Sequence, residues 1–248
     1  MARAFDGASA QYLTVATAIV NTPPFTFAAW MNMDDIINNH VLICVGDTDT
    51  DNESYQLTAR GGYSGDPILV RSRDGGVNSD AHTTAGYSAD TWHHACGVFT
   101  ADDDRAVFLD GGNKGTSAVS SAPSGLDTSC IGGNLRSSGV TWAAVGSIAD
   151  AAIWNVALTD AEVAILAAGY SPLFVRPQSL VAYWPLIRDT DDDIVGGYSM
   201  TPVNSPTVAA HPRVFYPGMP HVGYAAAAIA ALRIPRHPAA YYGGPTVF

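Results

Sequence analysis

Two acidic clusters are the groups in this sequence best suited to chemistry. Asp47-x-Asp49-x-Asp51-Asn52-Glu53 sets carboxylates at alternate positions, as in the first half of a calcium loop, but lacks the glycine and the distant glutamate of an EF-hand. Asp189-x-Asp191-Asp192-Asp193 is a second run of the same kind. Both offer hard oxygen donors suited to Ca2+; the alternative is a pair of solvated acidic turns, and no cofactor is required. His93 and His94 are adjacent and look like metal ligands. On a strand, neighbours face opposite sides, so the pair is not arranged to share one ion, and His94 reads as a structural core histidine. Of the five tryptophans, Trp30, Trp92, Trp154 and Trp184 fall within strand motifs and read as core. Trp142, in the turn region Gly139-Val140-Thr141-Trp142, has no such explanation and is the candidate for ligand contact.

The elements that must position these groups are organised around Trp92 to Gly112. Two runs of β-branched and aromatic residues, His93–Phe99 and Arg105–Leu109, flank an acidic turn and predict a β-hairpin. Val107 and Leu109 point to one face, Ala106 and Phe108 to the other. Both faces are apolar, so the hairpin lies between layers. Asp110-Gly111 supplies a second turn, and Gly115 to Leu126 reads as a loop. Earlier, Phe25, Phe27, Ala29 and Met31 alternate on one face of a strand, and Val41–Val45 is a short buried run. Tyr55–Ala59 and Pro67–Ser72 read as two more strands. Thr159 with Glu162 three residues on forms a capping box, so one short helix starts there and ends near Gly169. Regular short strands between glycine-rich turns are the sign of a sandwich or barrel.

Bulk properties narrow the function. The chain has 248 residues, 47% hydrophobic and 14% charged, with a formal charge of −11. Lys114 is the single lysine, the arginines are scattered, and no basic stripe suggests nucleic acid or an anionic membrane. The first residues lack the apolar region of a secretory signal, and the longest apolar run is too short to span a bilayer. Cys44, Cys96 and Cys130 form no CxxC pair and read as buried reduced thiols, with a disulfide or an inter-subunit bridge as the alternative. From His211 onward prolines recur among apolar residues. Phe215, Tyr216, Tyr224, Leu232, Tyr241, Tyr242 and Phe248 give residues 211–248 the character of an extended arm that either docks on a partner or packs on its own domain.

Taken together, several motifs resemble the laminin-G-like, concanavalin A-like lectin/glucanase superfamily. They are Phe5-Asp6-Gly7 with Tyr12–Val15, Phe25-Thr26 with Trp30, the Trp92–Gly111 signature, Ile131-Gly132, Gly146–Trp154 and Asn155–Glu162. Leu180-Val181-Ala182-Tyr183-Trp184-Pro185-Leu186 resembles a segment that usually comes first in that family and here comes last. The resemblance therefore implies a circularly permuted, jelly-roll-like antiparallel β-sandwich over residues 1–210, all-β with one short helix, in which 180–208 supply the permuted strands beside the first ones. It also implies that a rim calcium is permitted.

Many members of the superfamily are glucanases with two close glutamates on one strand. This chain has only Glu53 and Glu162, in a loop and a helix cap, so a glycoside hydrolase is the least favoured reading. Permuted single-domain versions resemble proteins of tailed bacteriophages. The leading expectation is a non-enzymatic virion structural protein, a capsid decoration or appendage subunit made in the host cytoplasm, that self-associates and docks on other virion subunits through its arm while displaying a glycan-binding sandwich. The alternative is a stand-alone carbohydrate-binding or adhesion module with rim calcium.

Overall fold

The computed structural model describes residues 2–187 and 190–217. In chain order, the strands of its first half are β1 (Ala2–Phe5), β2 (Tyr12–Val15), β3 (Phe25–Met33), β4 (Asn39–Gly46), β5 (Ser54–Arg60), β6 (Pro67–Asp74), β7 (Val77–Gly86), β8 (His93–Ala101) and β9 (Asp104–Leu109). Then come β10 (Gly112–Ser117), β11 (Thr128–Ile131), β12 (Asn134–Arg136), β13 (Gly139–Thr141), β14 (Gly146–Trp154), the helix α1 (Asp160–Ala167), β15 (Leu180–Trp184), β16 (Thr201–Val203) and β17 (Thr207–Ala209). An eight-stranded sheet runs β10-β9-β8-β3-β14-β1-β17, with β15 also on β14. A seven-stranded sheet runs β16-β2-β11-β4-β5-β6-β7, and β12-β13 form a separate hairpin. Every strand pairing is antiparallel. The fold is the expected all-β sandwich with one short α-helix among the described residues.

Alternation along the strands builds two apolar layers. Phe25, Phe27, Ala29, Met31, Phe99, Val107 and Leu109 point between the sheets and meet Leu57, Ile68 and Val70 of the opposite sheet. Phe25 and Phe99 stack with centroids 4.5 Å apart, and Tyr55 meets Phe25 edge-on at 4.9 Å. The other face of the hairpin, Cys96, Val98, Ala106 and Phe108, packs with Val163 and Leu166 of α1. The capping box at Thr159 and Glu162 starts that helix, and Gly169 at φ 90° follows its end. All three cysteines are buried free thiols, with Cys44 and Cys130 opposite one another across β4 and β11.

Of the late strands, β16 pairs with β2 and β17 with β1, whereas β15 pairs with β14. The sandwich unit extends to Pro217. Phe215 donates its N–H to Gly169 and accepts from Ser171, and the Tyr216 hydroxyl donates to Asp150 at 3.1 Å. Among the described residues no helix is long and apolar enough to cross a membrane.

Three elements depart from expectation. Gly112–Ser117, read as turn and loop, is strand β10 as far as Ser117. The Asp110-Gly111 turn, with both residues at positive φ (52° and 74°), folds it back onto β9. Gly115 lets it lie close to β7, since a Cβ there would stand 1.7 Å from the His82 carbonyl oxygen. β7 itself lacks a hydrophobic pattern because its inward positions, Ser79, Ala81 and Thr83, are small. The fully buried Arg105 braces this edge, donating to the Ser79 and Val119 carbonyls at 3.1 and 2.7 Å. The third is the β12-β13 hairpin, too short to show a pattern.

His93 and His94 face opposite sides, as strand geometry demands. The Asp110 carboxylate binds both: one oxygen contacts His93 Nδ1 at 2.7 Å and the other accepts from the His94 N–H at 2.8 Å. The His94 ring is buried against Trp30, and burial pushes its pKa down to about 4. The folded state therefore disfavours the charged ring, whereas the unfolded chain protonates near 6.5. Stability should fall as pH drops from about 6.5 to about 4, by about 3 kcal/mol from this group. Burial lowers His40 and His82 in the same direction. The check is urea denaturation across that range. His94→Gln should flatten the slope, and an unchanged slope would show that His94 is not the responsible group.

Candidate functional site

The seven-stranded sheet presents its outer face and one rim to the β12-β13 hairpin and two loops. The first loop, 47–53, joins β4 to β5, and its entry is fixed by the Asp47 N–H donating to the Glu53 carbonyl at 3.2 Å. The second precedes β11 and is pinned by the Asp127 N–H donating to the Gly46 carbonyl at 3.0 Å. These two bonds set Asp127 beside Asp47. Thr48 then ties the loops together, donating its N–H and hydroxyl to the Asp127 carboxylate at 3.0 and 2.6 Å. Asp47 accepts from the Asp49 N–H at 2.7 Å and from the Thr50 hydroxyl at 3.0 Å. Gly125, at φ 69°, passes so close that a Cβ there would lie 3.4 Å from the Asp47 carboxylate.

The result is one oxygen each from Asp47, Asp49 and Asp127 within 4.8 Å of one another. Asp47 is buried, Asp127 half-buried and Asp49 exposed. No lysine, arginine or histidine pairs with any of the three among the described residues. Three carboxylates converging without a counter-cation form a hard-oxygen donor set of the kind Ca2+ takes. Their existing hydrogen bonds leave lone pairs free for an ion, so the residues fit the metal. Beside them a cavity of about 380 Å³ is lined by Thr14, Ala16, Thr48, Asp127, Thr128 and Leu135, within the size range of small-ligand sites.

The other acidic candidates have different work. Asp51 accepts from the Ser137 hydroxyl and the Ser138 N–H, both at 3.0 Å, and so holds the β12-β13 turn. Asp191 is buried in an ion pair with Arg3, which donates Nε at 2.7 Å. Asp189 lies outside the described residues. Asp127, which completes the cluster, was not singled out in the sequence; it lies 79 positions from Thr48.

Trp142 follows β13 at φ 53° and is half-buried beside Val41, Cys44, Cys130 and Leu135, on the outer face of the seven-stranded sheet. The Arg71 guanidinium lies 5.0 Å from its ring centroid. Trp154 and Trp184 are core, donating their indole N–H to the Val175 and Tyr198 carbonyls, each at 2.8 Å. Trp30 and Trp92, expected in the core, are only half-buried: Trp30 points from β3 to the face opposite Phe25, Phe27, Ala29 and Met31, and Trp92 stands just before β8.

Both glutamates are structurally engaged. Glu53 accepts from the Gly75 and Ser124 N–H groups at 2.6 and 3.1 Å, and Glu162 caps α1 and binds Arg176. Of the arm residues, Phe215 and Tyr216 lie against this chain's own sandwich, as described above. Tyr224, Leu232, Tyr241, Tyr242 and Phe248 lie outside the described residues.

Comparison with known proteins agrees with this architecture. A family model described as the concanavalin A-like lectin/glucanases superfamily matches residues 6–164. A protein of Bacteroides ovatus superposes with a TM-score of 0.54 at 19% identity, over 84% of this chain and 61% of that one. The CBM40 of the Ruminococcus gnavus IT-sialidase, bound to α2,3-sialyllactose, gives 0.51 at 15% identity, over 59% and 83%. Domain 4 of AbnA, a GH43 extracellular arabinanase from Geobacillus stearothermophilus, in complex with arabinotriose, gives 0.51 at 16% identity, over 62% and 71%. At these identities the likeness is one of fold. No match was found among curated proteins.

Proposed function

We propose, for a chain that belongs to the concanavalin A-like lectin/glucanases superfamily, that it is a non-catalytic carbohydrate-binding module with a calcium ion at its rim. The observation that carries the reading is the convergence of Asp47, Asp49 and Asp127 from two loops, with Asp127 also lining the adjoining cavity. Bound Ca2+ would offset most of the charge of the three carboxylates and lock the two loops together. Thr14, Thr48 and Thr128 line the same cavity, and a threonine hydroxyl oxygen can still accept from a sugar hydroxyl while its own proton is donated elsewhere. Two structures of the same fold are sugar complexes by name, which supports the class of ligand. The absence of catalysis is supported by the engagement of both glutamates in bracing and capping.

The order of motifs makes the chain a circular permutant of its family on this reading, supported by the pairing of β16 with β2 and β17 with β1. A virion role, with assembly through the arm, stays an expectation of the sequence. No described residue favours it over the binding-module reading.

The test is a glycan array probed with the purified chain in Ca2+ and in EDTA. We expect binding in Ca2+ that is lost in EDTA and lost in Asp127→Asn. Trp142→Ala should weaken binding about tenfold or more while Trp142→Phe keeps most of it. A chain that binds no glycan under either condition would overturn the carbohydrate reading; binding unaltered by EDTA would overturn the calcium alone.

A further inference from the structure

Across the outer face of the seven-stranded sheet runs a row with one residue per strand, Thr14, Cys130, Cys44, Gln56, Arg71 and Asp80, set by the pairing register. Toward β7 this row becomes a cluster of cations. Arg71 is committed, bonding Asp80 through both Nε and Nη2 at 2.8 and 2.7 Å beneath Trp142. Arg73 stands two residues along β6 on the same face and meets only neutral acceptors, the Asp51 carbonyl at 3.0 Å and the Asn78 side chain at 2.8 Å. Arg136, from β12, is likewise held by a neutral group. With the Asn134 amide turned to satisfy its neighbours, its oxygen accepts from Arg136 Nε at 2.7 Å and from Gln56 Nε2 at 3.3 Å.

Arg73 and Arg136 are half-buried, and neither has a carboxylate in an ion pair among the described residues. Burial, then the positive charge of Arg73, lowers the pKa of Arg136, with Asp51 acting the other way. Like charges so placed are unfavourable unless an anion joins them. Their gathering on one face is notable in a chain of net charge −11.

We propose that this face is a subsite for an acidic sugar, its carboxylate or sulfate held between Arg73 and Arg136 beside Trp142. The assignment rests on the carbohydrate-binding reading and adds the class of sugar to it. A guanidinium pair matches the geometry of either oxyanion. Nucleic acid is disfavoured by the acidity of the rest of the chain. The subsite also needs no metal, because Arg73 and Arg136 belong to a different set of residues from the rim carboxylates.

The experiment is titration calorimetry of the full chain with lactose, 3′-sialyllactose and 3′-sulfolactose, beside a broad glycan array. At least one acidic form should bind about tenfold or more tightly than lactose, with affinity falling as NaCl rises. The two acidic probes separate a carboxylate from a sulfate preference. Arg136→Gln and Arg73→Gln should each remove about tenfold of that preference, and Arg136→Lys should keep part of it. All three variants should retain the wild-type melting response to Ca2+, which shows that the fold and rim are intact. If acidic probes bind no better than lactose, or the arginine variants keep the full preference, the subsite is overturned while glycan binding stands. If nothing on the array or in the calorimeter binds, the carbohydrate reading falls and the subsite falls with it.

Discussion

Gly97→Val should destabilise the chain by roughly 4 kcal/mol, at the upper end of overpacking costs. Gly97 is the inward residue between Ala95 and Phe99 at the middle of the central hairpin, facing the opposite sheet. A Cβ there would stand 2.3 Å from Val70 Cγ1 and 3.5 Å from Leu57 Cδ1. No φ constraint is involved; the space is simply taken by Val70 from β6. At this point one sheet offers no side chain and the other a β-branched one. The cause can be separated from a general effect of mutating a core strand. Gly97→Ala should cost about 2 kcal/mol alone, and combination with Val70→Ala should recover part of that cost, giving a favourable coupling of about 1 kcal/mol. Urea denaturation of the four species measures it. Additive costs would show that the sheets yield at this point and that the glycine is not the spacer.

That same hairpin explains why much of the fold was legible from the sequence. Its two faces are both apolar because each meets a different layer, the opposite sheet for Val107 and Leu109 and the helix for Ala106 and Phe108. The helix was legible for a local reason, since Thr159 and Glu162 specify their own capping box. The strands that escaped, β7, β10 and the β12-β13 hairpin, have no hydrophobic periodicity of their own. They are edges and covers, specified by turn chemistry and by the close approaches that Gly115 and the small residues of β7 permit.

The candidate sites follow the same division. Asp47 and Asp49 announce themselves as a loop with alternating carboxylates, but Asp127 is an isolated aspartate until β11 pairs with β4 and carries it to the rim. Asp51, next in the alternating run, is turned away because the serines of the β12-β13 turn claim it. Arginines that look scattered along the chain converge for the same reason. Arg71 and Arg73 share a face of one strand by local periodicity, whereas Arg136 reaches them only through the hairpin that crosses the sheet. Local pattern specifies elements; non-local pairing assembles sites, and that pairing is what sequence periodicity does not encode.

Calcium should raise the stability of the wild-type chain by about 4 kcal/mol when present at about a thousandfold over its dissociation constant, which for a domain of this size is a rise in Tm of about 8–16 °C. EDTA should remove the whole increment. Asp49→Asn is the informative variant. Asp49 is exposed and, among the described residues, engages Asp47 only through its backbone N–H, so the substitution leaves the loop's hydrogen bonds in place and removes one candidate ligand. Without metal, three converging carboxylates repel one another, and Asp49→Asn should be as stable as wild type or slightly more so. With Ca2+ the order should reverse, because the variant holds the ion with two carboxylates and loses much of the increment. Asp127→Asn should lose the increment too, but it also disturbs the two bonds from Thr48 and should be weaker in EDTA. Scanning calorimetry of the three proteins with and without Ca2+ distinguishes a metal site from an acidic turn. A site makes the stability order of wild type and Asp49→Asn cross when Ca2+ is added. A solvated turn leaves that order fixed, and millimolar Ca2+ then moves no Tm.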